Sequence, residues 1–435
     1  MSHQMIGAIG SIAMLVLLFT GIDIAVILAA VGVIGYMAIQ GVDRTLSMVA
    51  MTPFDVICSY NMALFPIYLL LGEFADLSGM MAESFRAARI WVGQLRGGLA
   101  MASVVGGAFL AAVSGSSTAC TALLTKLSLP SLLENNYSPR LACGALSAAG
   151  TLSNLIPPSI GLVLYAVMTE TSLGALFIAT MVPGILLTLM FMLQIYLQCL
   201  YDPTQGPATA KTSLKEKLLA FKYALPVIVL FSVVMGGIWF GVYTANEAGS
   251  IGCGLACLYA IYKKKVNKES LKNTFGSALK IVGIIFAIII GAELFSNFIV
   301  VSGVSLAIAQ WVAGLHLSPT GVVIVIMLIY FVLGTALDTL AMILVTLPFF
   351  VPVLNALHIN MVWFGILVVI QMELSQITPP VGLNLFVVAG MVKDRGISMG
   401  TVFSGAWPFC YTMIIYNAMV VFFPQIAMYL PSLMK

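Results

Sequence analysis

The sequence has little charge and no regular alternation of polar and apolar residues. Only 8% of its 435 residues are Asp, Glu, Lys or Arg, whereas 61% are hydrophobic and the mean hydropathy is +1.09. So small a charged fraction excludes a soluble globular protein. The apolar runs are long and do not alternate with polar residues, which excludes a transmembrane β-barrel and predicts spanning helices of about 20 residues each.

Histidine is scarce, and the cysteines form no pattern. The only histidines are His3, His316 and His358, all predicted near the outer surface, so Ser117 has no imidazole partner and zinc has no ligand set. This argues against a membrane-embedded enzyme such as an intramembrane protease, and no cofactor or transition metal is expected. The seven cysteines are scattered through apolar runs and are interpreted as small buried hydrophobes. The first apolar run lacks a basic leader, so its helix is expected to be retained.

The apolar segments divide the chain into two halves with the same order of elements. Residues 97–130 and 319–356 are too long for one crossing and are interrupted by small and polar residues, which predicts re-entrant helical hairpins. Each half then has three spans, a hairpin, an interrupted span and a last span, as expected of an internal repeat. The predicted spans are 5–19, 21–40, 54–78, 139–168 and 174–200 in the first half, and 223–244, 247–262, 281–313, 360–391 and 402–431 in the second.

Matching motifs support the repeat. Pro157-Pro158 and Pro379-Pro380 interrupt the fifth element of each half at an offset of 222 residues (379 minus 157), and Ser116 and Asp338 at the hairpin tips have the same offset (338 minus 116). The predicted domains are a first repeat at 1–200, with scaffold spans in 1–78, a cytoplasmic loop with an interfacial arm at 201–222, and a second repeat at 223–435.

The basic residues predict the orientation, because Lys and Arg accumulate in short cytoplasmic loops. With a periplasmic N-terminus, every Lys and Arg except Arg44 and Lys435 falls on the inner side, provided that both hairpins are re-entrant. The first hairpin then opens inward and the second outward. The predicted fold is therefore an all-α polytopic membrane protein with two inverted-topology repeats. Stretches 80–96, 211–222 and 266–280 mix basic and apolar residues and are interpreted as interfacial arms, with solvated loops as the alternative.

Hydroxyl and amide side chains cluster at the two hairpin tips and at the two interrupted spans. A proline pair inside an apolar span opens the helix and frees carbonyl oxygens, and a hard cation such as Na⁺ is bound by such oxygens. Small polar residues are also common packing residues in membrane helices, but the duplication favours binding. The predicted Na⁺ ligands are Ser114, Ser116, Ser117, Thr151, Asn154 and Pro157 in the first repeat, and Gly334, Asp338, Thr339, Thr378 and Pro379 in the second.

Asp338 is the carboxyl group that bears most directly on this prediction. An ionised carboxylate at mid-membrane costs roughly 2.5 to 3.5 kcal/mol on insertion scales, so a bound cation is its expected partner. A proton and a neutral hydrogen-bonded Asp are the alternatives. Glu73 and Glu293 lie near span ends, whereas Glu373 lies inside the fifth element of the second half and is the stronger candidate of the three.

An anionic substrate would have to be held without basic side chains. No Lys or Arg lies in the predicted core, which leaves hydroxyls, amides, half-helix N-termini and co-bound cations. We expect the substrate between the two tips. The predicted substrate-binding residues are Ser116, Thr118, Ser153, Ser159, Thr335, Gly382 and Asn384.

The tips and breaks belong to five longer motifs: SGSST, GTLSNLIPPSIG, DTLAMILVTLPFFVPV, WFGILVVIQMEL and TPPVGLNLFV. In this order they resemble the large membrane subunit of the tripartite ATP-independent periplasmic (TRAP) transporters. Ser153 and Asn154 depart from the family pattern, which has apolar residues there in many members. The resemblance implies Na⁺-driven uptake of an organic anion, such as a C4-dicarboxylate or a sialic acid, across the bacterial inner membrane by an elevator mechanism. It also implies two partners, a periplasmic substrate-binding protein and a small four-helix membrane subunit on a separate chain.

Two other kinds of transport protein fit parts of the pattern. A stand-alone cation-coupled carboxylate transporter would need no binding protein. A passive channel would leave the paired breaks unexplained.

Overall fold

The protein is all helical in the part that the structure describes. The computed structural model describes residues 2–208, 212–315, 317–335, 337 and 339–434, and these contain no strand. In the first half the helices are α1 (His3–Leu18), α2 (Ile24–Gln40), α3 (Val42–Cys58), α4 (Leu64–Ser78), α5 (Met80–Val92), α6 (Gly98–Ser114), α7 (Ser117–Glu134), α8 (Pro139–Leu155), α9 (Ile160–Thr169) and α10 (Leu173–Tyr201). In the second they are α11 (Leu214–Trp239), α12 (Ala245–Tyr262), α13 (Lys268–Ser302), α14 (Val304–Gly314), α15 (Pro319–Gly334), α16 (Thr339–Ala356), α17 (Met361–Ile377), α18 (Leu383–Val392), α19 (Met399–Phe422) and α20 (Gln425–Met428).

Several of these helices are long and apolar enough to cross a membrane. Within the described ranges six qualify, counting α8 and α9 together, and a seventh is obtained if the pair bent by 54° at residue 59 forms one span. Long apolar helices of this kind satisfy their backbone hydrogen bonds internally, as the bilayer requires. The prediction of an all-α, multi-pass membrane protein is confirmed.

The predicted interruptions of the helices are also confirmed. The first hairpin turns at Gly115, whose φ of +60° suits a residue without a Cβ, and α8 ends two residues before the first proline pair. In the second half α15 ends at Gly334 and α16 begins at Thr339, while α17 ends just before the second proline pair. That the hairpins re-enter the membrane, and that the two halves are inverted, stays a prediction.

The helix boundaries differ from the predicted ones in four places. Stretches 211–222 and 266–280, predicted as separate arms, supply the first turns of α11 and α13. In α13 the helix continues through Gly276, which lies between the basic turns and the apolar residues. The predicted span 54–78 is divided at residue 59, and its first part belongs to α3, which begins at Val42, where apolar residues are interspersed with charge. The predicted span 281–313 ends at Gly303, where a φ of +71° allows α14 to begin in a new direction. The same corner occurs at Gly79, between α4 and α5.

Two helices that end at the breaks form the centre of the packing. Every residue of α8 from Leu141 to Leu155 and of α17 from Trp363 to Ile377 is buried. Helix α8 contacts α6, α7, α17 and α19, and Gly144 lies so close to Gly405 of α19 that an added Cβ would lie 2.0 Å from the Gly405 carbonyl oxygen. Helices α2, α4, α12 and α13 pack with one another beside this core. The broken helices therefore bring the polar breaks to a buried position.

Candidate functional site

A cavity of about 180 Å³ lies where the two hairpin tips approach each other, and we refer to it as the tip cavity. Both tips and both breaks contribute to it, together with three apolar side chains of α4 and α13. Its lining consists of Gly115, Ser116, Ser117 and Thr118 from the first tip, Asn154, Ile160 and Gly161 from the first break, Thr339, Leu340 and Gln376 from the second half, and Leu69, Ile281 and Ile285. Since one water occupies about 30 Å³ of liquid, the tip cavity has room for a small organic molecule.

A second, smaller cavity of about 90 Å³ belongs to the second half alone. Gly334, Ser375 and Gly382 help to line it, and it shares Thr339 and Gln376 with the tip cavity. The Gln376 side-chain amide donates to the Thr339 hydroxyl oxygen at 2.6 Å. The Gln376 Oε1 atom is buried and has no hydrogen-bond partner in the described part of the chain. A buried acceptor of this kind is costly, and a cation or a donor in either cavity would satisfy it.

Helix N-termini surround the tip cavity. Ser117 begins α7, Ile160 begins α9 and Thr339 begins α16, and all three line the cavity. The first turns of helices carry free N–H groups and the positive end of the helix dipole, so they favour anions. Among the described residues that line either cavity there is no Lys or Arg. The positive potential at the site therefore comes from the backbone rather than from basic side chains.

A buried polar network connects the first tip to the second broken helix. The carboxyl group of Glu373, 1% exposed, accepts from the Ser117 hydroxyl at 2.7 Å and from the Asn154 side-chain amide at 2.6 Å. The Asn384 amide donates to the Ser117 hydroxyl oxygen at 2.9 Å. The Ser117 hydroxyl also lies 3.1 Å from the Gly150 carbonyl oxygen of α8. Four helices, α7, α8, α17 and α18, are thereby joined through a single hydroxyl group and a single carboxyl group.

The tips and breaks hold their shape through local caps. Ser116 is the N-cap of α7 and accepts from the Ala119 amide, and Ser159 is the N-cap of α9 and accepts from the Leu162 amide. Both are the side-chain types that cap helix starts most often. The two proline–proline bonds are cis.

The structure brings some of the predicted residues to the cavities and leaves others outside both linings. Ser116, Ser117, Thr118, Asn154 and Thr339 line the tip cavity, and Gly334 and Gly382 line the second one. The other predicted residues lie outside both linings: Ser114, Thr151, Ser153, Pro157, Ser159, Thr335, Thr378, Pro379 and Asn384. Asp338 lies outside the described residues.

Three of the predicted hydroxyls outside the linings are bonded within their own helices. Thr151 donates to the Ala148 carbonyl at 2.6 Å, Thr335 to Val332 at 2.7 Å and Thr378 to Leu374 at 2.6 Å. Back-bonding of this kind is common for threonine in apolar helices. In this arrangement these hydroxyls use their single proton for the helix backbone.

Two residues with central positions were absent from the predicted ligand sets. Gln376 lines both cavities, and Glu373 binds two of the predicted ligands. The repeat offset held a signal for the first, since Asn154 plus 222 residues is Gln376. No sequence pattern indicated the apolar wall of Leu69, Ile281 and Ile285, because these residues come from different spans.

Comparison with known proteins places the chain among membrane transporters. Residues 11–426 match the family described as "Tripartite ATP-independent periplasmic transporter, DctM component". The chain is 34% identical over 375 residues to the C4-dicarboxylate TRAP transporter large permease protein DctM of Pseudomonas aeruginosa, covering 86% of each chain. It is 31% identical to the DctM protein of Vibrio cholerae, covering 90% of each chain. It is 28% identical to the sialic acid TRAP transporter large permease protein SiaM of Vibrio cholerae, covering 86% of this chain and 87% of that protein. These relatives are permeases, not enzymes.

Two solved transporter structures are similar in fold. The YdaH transporter of Alcanivorax borkumensis superposes with a TM-score of 0.61 at 15% identity, over 88% of each chain. The MtrF protein of Neisseria gonorrhoeae superposes with a TM-score of 0.65 at 14% identity, over 89% of this chain and 85% of that one. At such identities the likeness shows the fold.

Proposed function

The chain belongs to the DctM component family of tripartite ATP-independent periplasmic transporters, and we propose that it carries a small organic anion into the cell together with Na⁺. The observation that carries the proposal is the tip cavity, where three helix N-termini and a set of hydroxyl and amide side chains meet without a basic side chain in the described lining. Such a site attracts an anion through the helix dipoles but gives it no fixed counter-charge. Co-transported cations would supply that charge.

Na⁺ fits the oxygen atoms around the cavities. The Gln376 Oε1 atom and the Asn384 Oδ1 atom are buried acceptors without a hydrogen-bond partner in the described part of the chain. The Ser116, Ser117 and Thr339 hydroxyls are close by, and hard cations prefer oxygen ligands of this kind. Na⁺ in either cavity would satisfy the Gln376 acceptor and provide positive charge next to the anion.

For the substrate we propose a C4-dicarboxylate. The named relatives at 34% and 31% identity are C4-dicarboxylate permeases, and the tip cavity of about 180 Å³ suits a molecule of that size better than a sialic acid. A dicarboxylate has a charged group at each end, and helix N-termini from both halves face the cavity. The alternative, a stand-alone cation-coupled carboxylate transporter, would use the same cavity.

For the mechanism we propose an elevator movement of the core. The tip cavity is closed on one side by Leu69, Ile281 and Ile285, which belong to α4 and α13 rather than to the hairpins and broken helices. An apolar wall makes no directional bonds with a bound solute. The hairpins and broken helices can therefore slide past α4 and α13 with the solute held between the tips.

The setting that we propose is the bacterial inner membrane, with a periplasmic N-terminus. The partners would be a small membrane subunit and a periplasmic substrate-binding protein, as the tripartite family implies. The binding protein would deliver the anion to the outer face of this chain.

Uptake by proteoliposomes tests the proposal. The chain and its small subunit would be reconstituted, and uptake of radiolabelled C4-dicarboxylates and sialic acid would be measured with and without the binding protein and an inward Na⁺ gradient, each varied independently. Uptake of a dicarboxylate that needs both additions would support the proposal. Na⁺-driven uptake without the binding protein would support the stand-alone alternative, and uptake indifferent to Na⁺ would refute cation coupling.

A further inference from the structure

The repeat predicts that a pair of polar residues in the first half makes the same contact as the matching pair in the second half, and the structure shows that the two contacts differ. The offset of 222 residues pairs Ser117 with Thr339 and Asn154 with Gln376. In the second half the two partners are bonded directly, since the Gln376 amide donates to the Thr339 hydroxyl at 2.6 Å. In the first half the Ser117 hydroxyl and the Asn154 amide both donate to Glu373, which stands between them.

Glu373 comes from the other half of the chain. It lies on α17, 256 residues from Ser117 and 219 from Asn154 along the sequence. The same offset pairs it with Thr151, whose hydroxyl only donates to the Ala148 carbonyl of its own helix. The second broken helix therefore reaches into the polar centre of the first half through Glu373, and in the described part of the chain Thr151 makes no reciprocal contact with the second half.

The bonds of Glu373 determine where two cavity-lining side chains point. Ser117 and Asn154 both line the tip cavity, and the hydrogen atoms that they donate to Glu373 are directed away from a ligand there. Their oxygen atoms are consequently left as the groups that a cation in the cavity can use. A donor turned toward the cavity would instead repel a cation.

We propose that Glu373 is a positioning residue, which holds Ser117 and Asn154 with their oxygen atoms available for Na⁺ and so makes the first cation site depend on the second broken helix. This inference rests on the proposed Na⁺ coupling. Glu373 is not part of the tip-cavity lining, and its two carboxyl oxygens accept from the Ser117 and Asn154 donors, so its proposed role acts through these two residues.

The bonding pattern specifies which substitutions keep the positions. In Glu373→Gln the side-chain oxygen still accepts from Asn154, but the new amide donates to the Ser117 oxygen, which already accepts from Asn384. The Ser117 hydroxyl then donates to the Gly150 carbonyl 3.1 Å away, so the Asn154 oxygen stays available for Na⁺ and the Ser117 oxygen does not. In Glu373→Met the volume is similar but both bonds are lost. Gln371→Met is the matched control: Gln371 is also buried and hydrogen-bonded, two residues earlier on α17, but its partner is Asn417 of α19.

Thermal unfolding of the purified full-length chain in Na⁺, with K⁺ replacing Na⁺ at constant ionic strength, provides a readout independent of transport. A ligand that binds the native state raises stability as its concentration exceeds its Kd. We expect Glu373→Met to raise the half-saturating Na⁺ concentration about tenfold or more, the scale of a lost hydrogen bond to a charged group. Glu373→Gln, which keeps one of the two oriented oxygen atoms, should raise the Na⁺ midpoint by less than Glu373→Met does. Gln371→Met should lower the melting temperature without changing the Na⁺ midpoint.

The outcomes separate the inference from the proposed function. If the unsubstituted chain shows no Na⁺-dependent stabilisation, Na⁺ coupling fails, and this inference with it. If it shows one and Glu373→Met keeps the same midpoint, only the role of Glu373 fails. A Glu373→Gln variant as defective as Glu373→Met would also overturn the positioning role, because the charge of the carboxylate would then matter more than its bonds.

An exchange of the two partners tests the bond without a large change of volume, in case Glu373→Met does not fold. Asn154→Asp alone places two carboxyl groups against each other and should weaken Na⁺-dependent stabilisation. In the double variant Asn154→Asp, Glu373→Gln, the carboxyl group is at position 154 and the amide is at position 373. The amide–carboxyl pair is thereby restored with the two groups exchanged, at the same net charge as the original. Recovery of the Na⁺ midpoint in the double variant supports the positioning role, and a double variant no better than Asn154→Asp would contradict it.

Discussion

Replacement of Ser117 by Ala tests the centre of the proposed site. The hydroxyl group is 2% exposed, accepts from the Asn384 amide at 2.9 Å and lies 2.7 Å from Glu373 Oε2 and 3.1 Å from the Gly150 carbonyl. Because it has one hydrogen atom, it donates to one of those two acceptors at a time. The substitution removes one buried oxygen atom and leaves almost no new space, so the lost interactions dominate the effect.

The structure separates the expected effects on stability and on binding. A hydrogen bond between membrane helices contributes about 0.6 kcal/mol on average and at most about 1.7 kcal/mol, so the loss of two should cost roughly 1 to 3 kcal/mol of stability. The hydroxyl also lines the tip cavity, and a hydrogen bond or ligand contact to a charged group is worth about 1.5 to 3 kcal/mol. At about 1.4 kcal/mol per tenfold, the half-saturating Na⁺ or substrate concentration should rise roughly 10- to 150-fold.

The assay is Na⁺-driven uptake in proteoliposomes, with thermal unfolding of the same preparations. Ser103→Ala is the matched control, since Ser103 of α6 is equally buried but its hydroxyl donates to the Leu99 carbonyl of its own helix at 3.1 Å. Ser103→Ala should leave both half-saturating concentrations unchanged. If Ser117→Ala keeps them within about twofold of the unsubstituted protein, the hydroxyl takes no part in binding and the reasoning is refuted.

Three further predictions concern packing, charge and the second tip. In Gly150→Ala the added Cβ would lie 1.8 Å from the Thr121 hydroxyl oxygen, so we expect stability to fall by about 1 to 3 kcal/mol and Thr121→Ala to restore part of it. In Gly144→Ala the added Cβ would lie 2.0 Å from the Gly405 carbonyl oxygen, which no side-chain substitution can remove. Equal rescue of both variants in thermal unfolding would contradict this. The hydrogen bond to Glu83, 2.5 Å away, raises the pKa of Lys263 above its ordinary 10.5, so the pair is intact below that pH and is lost as the pH rises through the raised pKa. Because the pair is partly exposed, Lys263→Met should lower stability by less than about 1 kcal/mol. In unfolding measurements this loss should be constant between about pH 7 and 9. A smaller loss at the upper end of that range would refute the assignment. Asp338→Ala should abolish the Na⁺ dependence of uptake, and full Na⁺-driven uptake by this variant would exclude the role that the sequence predicts for Asp338.

Local chemistry explains why much of the fold could be predicted. Long apolar runs require helices in a bilayer, and the proline pairs at 157–158 and 379–380 remove backbone donors wherever they occur, so the two breaks followed from the sequence. Gly115 and the hydroxyl residues beside it predicted the first tip for the same reason. The starts of α11 and α13 were less predictable, because basic and apolar turns can continue as one helix, as α13 does even through Gly276.

The sequence by itself determined that this is a polytopic helical membrane protein with two polar breaks in each half, since these features depend on composition and on residues close together along the chain. Only the tertiary structure decided which polar groups meet. The bonds of Glu373 with Ser117 and Asn154 join residues more than 200 positions apart, and the apolar wall of the tip cavity comes from α4 and α13. The partner of a buried polar group is set by how the helices pack, and packing depends on the shape of every contact surface in the core rather than on any local pattern.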